Sequence, residues 1–162
     1  GLVTCVDLVS IQHSEFEQIV ACAAPFIDYL IVNEIEAAHA TGRSLGPGSD
    51  NDVLLDMARD LIERGVGHAV IVHTVDHVVW VGRDGEEMIV DVAKVPPDQI
   101  ASNLGAGDAF CAGLLYGLHE GWAPDASIQL AVETASASLH DLTATGSIPA
   151  LSTLSSFGQR TQ

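Results

Sequence analysis

Apolar positions follow two periods along this chain. The first eight residues, GLVTCVDL, are mostly apolar and β-branched with an acid, Asp7, near their end, so residues 1–8 read as a strand buried on both faces. Ser14 followed by Phe16, Ile19, Val20 and Cys22 predicts a capped amphipathic helix that Pro25 ends. Residues 27–32 form a second apolar run. Asn33-Glu34-Ile35-Glu36 follows it at once and opens a short helix that stops at Gly42. Residues 43–51, rich in Gly, Ser and Pro, are a loop. The strongest helical period covers residues 52–64, where Val53, Leu54, Met57, Leu61 and Ile62 mark one face and Gly65 the end. Residues 69–72 and 78–81 read as strands, and Asp84-Gly85 turns a hairpin into residues 87–92. Pro96 and Pro97 break the pattern. Helices follow over about 109–120 and 127–139, and the tail from 143 reads as loop with a short element near 151–157.

Strands alternating with helices imply an α/β protein with a mainly parallel sheet, whose ligands sit beyond the carboxyl ends of the strands. The length of 162 residues suits one domain, 1–162, and 48% hydrophobic residues suit a packed core. With 22 acids against 6 basic residues the net charge is −16, which argues against binding nucleic acid through its phosphates. No apolar run reaches the length of a membrane span and the first residues carry no basic n-region, so no signal peptide is visible and no membrane partner is expected. Cys5, Cys22 and Cys111 match no metal or redox spacing and read as buried reduced thiols, which suggests a cytoplasmic setting.

The candidate chemistry lies in Gly105-Ala106-Gly107-Asp108. A glycine-rich turn opening a helix aims several N–H groups at one point, with the positive helix end behind them. That is an anion site. An acid there repels phosphate unless it takes a proton from a hydroxyl that attacks the phosphate. A dinucleotide fingerprint lacks its third glycine, since Phe110 occupies that place, and the Lys of a phosphate-binding P-loop is absent. On spacing alone a structural turn is an equal alternative.

The longer stretch from Ser102 to Phe110, followed by Ala112-Gly113-Leu114-Leu115, closely resembles the C-terminal signature of the ribokinase-like (PfkB) carbohydrate kinases. Asn33-Glu34-Ile35-Glu36 looks like the same family's N-x-x-E motif, and the run before it, 27–32, is similar to the family's approach to that motif. The resemblance implies a three-layer α/β/α Rossmann-like sheet of the ribokinase-like fold, with only its C-terminal portion present. It implies ATP-dependent phosphorylation of a sugar or nucleoside hydroxyl. Asp108 would be the base, the N–H groups of Gly105, Ala106 and Gly107 the anion hole, and Asn33 and Glu36 would position Mg²⁺ through water and the phosphates. The bland alternatives are a helix N-cap for Asp108 and a solvated first-turn acid for Glu36.

Ser102-Asn103 replaces the family's Asp-Thr, which argues against a monovalent cation site. The strand at 70–72 runs into His73-Thr74-Val75 where the family has Thr-x-Gly, so the resemblance places His73 and Thr74 at the nucleotide. Ala131, Ala135 and Ala137 fall where the family's adenine pocket lies, with close helix packing as the alternative; Ala135 is the candidate contact. His68, His73 and His77 lie five and four residues apart without a helix to gather them, and Trp80 and Trp122 read as packing residues. Family members are about twice this length, so the expectation is a fragment whose bare sheet edge favours pairing with another chain, a homodimer included. A non-catalytic nucleotide-binding or assembly module that keeps the fold is the second reading.

Overall fold

The computed structural model describes residues 1–9, 15–46 and 50–154. The chain divides into two compact units, Gly1–Val92 and Ala93–Gln162.

The first unit is built on a five-stranded sheet. Its strands are β1 (Cys5–Asp7), β2 (Tyr29–Asn33), β3 (Ala69–His73), β4 (His77–Gly82) and β5 (Glu87–Asp91), in that spatial order. β1, β2 and β3 are parallel, while β3, β4 and β5 pair antiparallel. The sheet is therefore mixed, not mainly parallel as expected. The reason is the length of the links. The parallel strands are joined through helices α1 (Phe16–Ala23), α2 (Glu34–Thr41) and α3 (Asn51–Glu63). The segments at 74–76 and 83–86 are too short for a crossover and can make only hairpins.

Both faces of the sheet are buried, Ile31, Ile71, Val78 and Trp80 on one and the main core cluster on the other. Leu30, Val32, Val70, Val72, Val79 and Val81 pack with Val20 of α1, Ala37 and Ala40 of α2, and Leu54, Met57 and Leu61 of α3. The 3.6-residue period of α3 puts its apolar positions on that side. Arg64, just past α3, donates to the carbonyls of Ala40 and Thr41 at 3.0 and 3.3 Å and so closes the end of α2. Arg83 does the same for α3, donating to the carbonyls of Ile62 and Val66.

Two expectations fail at the margins of this unit. The first strand spans three residues, not eight, and it lies at the sheet edge with Cys5 and Val6 half-buried and Asp7 exposed. A strand with one neighbour is covered less than its composition suggests. In α1 only Phe16 and Val20 are buried, whereas Ile19 and Cys22 are exposed. The cysteines are thus not all buried: Cys5 and Cys111 are half-buried. The proposed Ser14 cap lies outside the described residues.

The second unit contains α4 (Ala106–His119) and α5 (Pro124–Ser138). Both begin three residues before the expected starts. Gly105 is left-handed (φ 80°), which lets the helix open directly after it, and Pro124 sits in the first turn, where its missing N–H has no partner to lose. The two helices pack closely at their glycines. A Cβ on Gly113 would lie 2.8 Å from the Cα of Ala131, and one on Gly117 2.8 Å from the Cα of Ser127. The polypeptide after α5 includes a short 3₁₀ turn at Leu151–Thr153.

Candidate active site

In the first unit, β2 and β3 end side by side. Asn33 and His73 are register partners at the carboxyl ends of two parallel strands, the edge where open α/β sheets bind ligands. Asn33 is also the N-cap of α2. Its Oδ1 accepts the N–H of Glu36 at 2.8 Å, and Glu36 Oε2 accepts the N–H of Asn33 at 2.9 Å. This reciprocal capping box satisfies two N–H groups that a helix start otherwise leaves open. Glu36 is 4% exposed, so it is not the solvated first-turn acid of the bland alternative. The box turns its carboxylate back against the start of the helix.

His73 is half-buried, and desolvation pushes its ring down to about 4, so it is neutral at physiological pH. Thr74 holds the β3–β4 turn: its hydroxyl donates to the carbonyl of His77 and accepts from the N–H groups of Asp76 and His77. The other two histidines are parted from His73 in role. His68, beyond the opposite end of β3, stacks on Tyr29 at 5.4 Å with Nε2 3.7 Å from Asp28. His77 sets Nδ1 3.0 Å from Asp91. Among the described residues no three His, Cys, Asp or Glu side chains are grouped to hold a metal. Trp80 is buried and 6.2 Å from Tyr29, and Trp122 meets Tyr116 edge-on at 5.8 Å, both packing contacts.

In the second unit the glycine turn opens α4. Gly105 is its N-cap, and no side chain caps the helix. Besides its left-handed φ, Gly105 is pressed by Ala144, which a Cβ would strike. Ala106 donates its N–H to the carbonyl of Asn103 at 3.3 Å, and Ser102 Oγ accepts the N–H of Leu104 at 3.0 Å, so the residues before the helix form a tight local turn. Gly107 and Asp108 stand in the first helical turn, where no carbonyl lies one turn behind to take their N–H groups. Both are exposed. Asp108 is thus in the first turn and not at the N-cap. Gly107 has nothing within 4 Å of where a Cβ would be and no positive φ. Neither packing nor backbone explains a glycine inside this helix, where glycine is destabilising. Open space above unpaired N–H groups at a helix start suits an anion.

A cavity of about 620 Å³ lies along α5, with Val95, Pro96, Gln129, Val132, Glu133 and Ser136 among its walls. These α5 residues escaped the sequence reading, although their spacing of three, one and three residues marks one helix stripe. Of the three alanines it singled out, Ala131 is fully buried against Gly113, which is close helix packing. Ala135 is half-buried and is not among the cavity's lining residues.

Comparison with known proteins gives this geometry a family. A family model described as pfkB family carbohydrate kinase matches residues 2–151. The chain belongs to the pfkB family. 1-Phosphofructokinase of Escherichia coli (strain K12) is 34% identical over 96 residues, which are 59% of this chain and 28% of that enzyme. Ribokinase from Thermotoga maritima superposes with a TM-score of 0.70 at 26% identity, over 91% of this chain and 46% of that one. Arabidopsis thaliana ribokinase, solved with ribose and ATP, gives 0.74 at 20% identity, over 91% and 45%. This pfkB chain spans less than half the length of these solved relatives. The ribokinase-like fold expected from Ser102–Phe110 and the N-x-x-E motif is therefore the fold it has, and the motifs sit on the rim of the sheet and at a helix start.

Proposed function

We propose that this chain is the phosphate- and base-bearing part of an ATP-dependent kinase that phosphorylates a hydroxyl of a sugar or nucleoside. The observation that carries the reading is the start of α4. There an exposed Asp108 stands beside open N–H groups and a glycine that the fold itself does not require.

In this reading the N–H groups at the start of α4, with those of Gly105, Ala106 and Gly107 as the hole, face the γ-phosphoryl group, the Ala106 N–H being shared with the Asn103 carbonyl, and the helix end stabilises the phosphoryl charge. Asp108 takes the proton of the acceptor hydroxyl as its oxygen bonds to the γ-phosphorus and the bond to ADP breaks. The described arginines do not supply the charge: Arg43, Arg59 and Arg64 face carboxylates, and Arg83 faces carbonyls. Mg²⁺ would neutralise the phosphates. It favours oxygen ligands and keeps several waters, so an outer-sphere place at Glu36, with Asn33 holding that carboxylate, fits the donors present. His73 and Thr74, beside Asn33, are the nucleotide contacts of the first unit, and in the second unit the cavity along α5, whose walls mix Gln129, Glu133 and Ser136 with Val95, Pro96 and Val132, is the candidate place for the base. The net charge of −16 fits small-molecule partners and not nucleic acid.

The test is turnover of sugars and nucleosides by the full-length protein with ATP and Mg²⁺, and the same assay on D108N. Loss of turnover with nucleotide binding kept supports the base; a near-normal kcat removes it. A non-catalytic nucleotide-binding or assembly module has one observation in its favour. The capping box accounts for Asn33 and Glu36 without any ligand. Nucleotide binding without turnover on any acceptor would select that reading.

A further inference from the structure

The glycine turn that opens α4 is held from outside by the polypeptide that follows α5. Leu139, the residue after α5, accepts the N–H groups of Ala101 and Ser102 with its carbonyl at 2.8 and 3.4 Å. His140 Nδ1 lies 3.0 Å from the carbonyl of Gln99, which only accepts, so the ring donates there. The approach to Gly105 is thereby tied to the end of α5. A loop then closes over the turn itself. Asp141 Oδ1 accepts both the N–H and the hydroxyl of Thr143 at 2.7 Å, and Thr143 Oγ1 accepts the N–H of Gly146 at 3.1 Å. The Thr143 N–H, and after it the hydroxyl, hold the Asp141 carboxyl below the usual carboxylate range. Ser147 Oγ donates to the carbonyl of Ala137 at 2.5 Å and returns the loop to α5. Gly146 has no positive φ, but a Cβ there would lie 2.8 Å from Asp141 Oδ1, so the closed loop needs its missing side chain. The loop presents Ala144 to the turn. A Cβ on Gly105 would strike the Ala144 methyl group and lie 3.1 Å from Ala144 Cα.

Ending α5 does not require these side chains. The carbonyls of Ser136, Ala137 and Ser138 already take the N–H groups of Leu139, His140 and Asp141. Asp141 and Thr143 instead spend their side-chain bonds on the shape of the loop that bears Ala144. Resting on the reading of this chain as an ATP-dependent kinase, we infer that Asp141 is a positioning residue for phosphoryl transfer: through Thr143 and Ala144 it fixes the Gly105 turn, and with it the direction of the open N–H groups at the start of α4. Gly105 has no side chain of its own to hold its left-handed conformation in place, so the hold comes from Ala144. An anion hole works when its donors already point to where charge develops. A misplacement of about 1 Å in such groups costs on the order of 10²-fold in rate. In this arrangement Asp141 touches neither the phosphoryl group nor the acceptor.

Steady-state kinetics of the full-length protein with ATP and Mg²⁺, together with the backbone amide resonances of residues 105–108 in isotope-labelled protein, test the assignment. D141A is expected to shift those resonances and to lower kcat roughly ten- to hundred-fold with the KM for ATP little changed, since the hole acts on the group in transfer. D141N keeps an oxygen that accepts from Thr143 and is expected to stay within roughly three-fold of the wild-type kcat. T143V breaks the same link from the other side, leaves the carboxylate in place, and is expected to behave as D141A does. T143S restores the hydroxyl and is expected to follow D141N. Far-ultraviolet circular dichroism and a urea midpoint check that each variant is folded. A loop that only ends α5 would move the urea midpoint and leave both kcat and the amide resonances of the folded protein where they were. Resonances of residues 105–108 that stay in place in D141A and T143V, or a kcat unchanged in both, overturn the inference and leave the kinase reading standing. A wild type that turns over no acceptor overturns both.

Discussion

The backbone N–H of Asn33 donates to the carboxylate of Glu36 at 2.9 Å, and the N–H of Glu36 donates to Asn33 Oδ1 at 2.8 Å. The two residues of the N-x-x-E motif thus fold each other into the start of α2. Any part they take in positioning Mg²⁺ is superimposed on a structural task, and the two separate by substitution.

N33A removes an N-cap and is expected to lower stability by about 1 kcal/mol. E36Q keeps an oxygen to accept the Asn33 N–H and is expected to stay folded with a small loss. If Glu36 positions the metal ion, E36Q in the full-length protein raises the Mg²⁺ concentration needed for half-maximal turnover. An unchanged Mg²⁺ dependence together with unchanged stability would confine the motif to capping. Chemical denaturation and a magnesium titration read the two effects apart.

D108N is expected to reduce kcat by roughly 10²- to 10⁴-fold, the usual worth of a positioned base. Asp108 is exposed and caps no helix N–H, so its stability is expected within about 0.5 kcal/mol of wild type. Steady-state kinetics and a urea midpoint on the same preparation check both halves.

The two glycines of the turn are expected to respond in opposite ways. G105A places a side chain at φ 80° and against Ala144, and is expected to cost about 1–2 kcal/mol or more. G107A meets nothing within 4 Å and fills a helical position, so it is expected to gain up to about 1 kcal/mol. The same methyl group would occupy the space assigned to the phosphoryl group. A G107A protein that is more stable yet much less active would show the glycine is kept for a ligand. Full activity would release Gly107 from that role.

His73 makes stability depend on pH. In the folded protein its ring stays neutral down to about 4, whereas in an unfolded chain it protonates near 6.5. Between those values the unfolded state binds more protons, so stability rises with pH. The contribution is complete above the unfolded value and is lost as pH falls through the window, to a total on the order of 3 kcal/mol. H73Q is expected to flatten this part of the profile relative to wild type. Parallel curves for the two proteins between pH 4 and 7 would mean that the ring is not desolvated.

Much of this architecture was legible in the residues. The face of α3, the Asp84-Gly85 hairpin and the left-handed Gly42 after α2 are local matters of period and turn chemistry, and they stand where the pattern put them. The family signature at Ser102–Phe110 and Asn33–Glu36 is also local, and it led to the family that residues 2–151 match. Less legible were features that depend on neighbours distant in the chain. The composition of residues 1–8 gives no sign that β1 lies at the edge of the sheet formed by the described strands. Nor does the spacing of Asn33 and Glu36 tell a solvated acid from a buried one.

The sequence by itself determined the order of elements, the turn at Gly105 and the identity of the family, because short-range periodicity, backbone sterics and a contiguous motif need no knowledge of what packs where. The tertiary structure alone decided the mixed sheet, the exposure of Cys22, the burial of Glu36 and the rotation of α5 that turns Gln129 and Glu133 into a cavity wall. Each of these is set by burial and by close approach between segments far apart in the chain. Those contacts exist only once the backbone has brought the segments together.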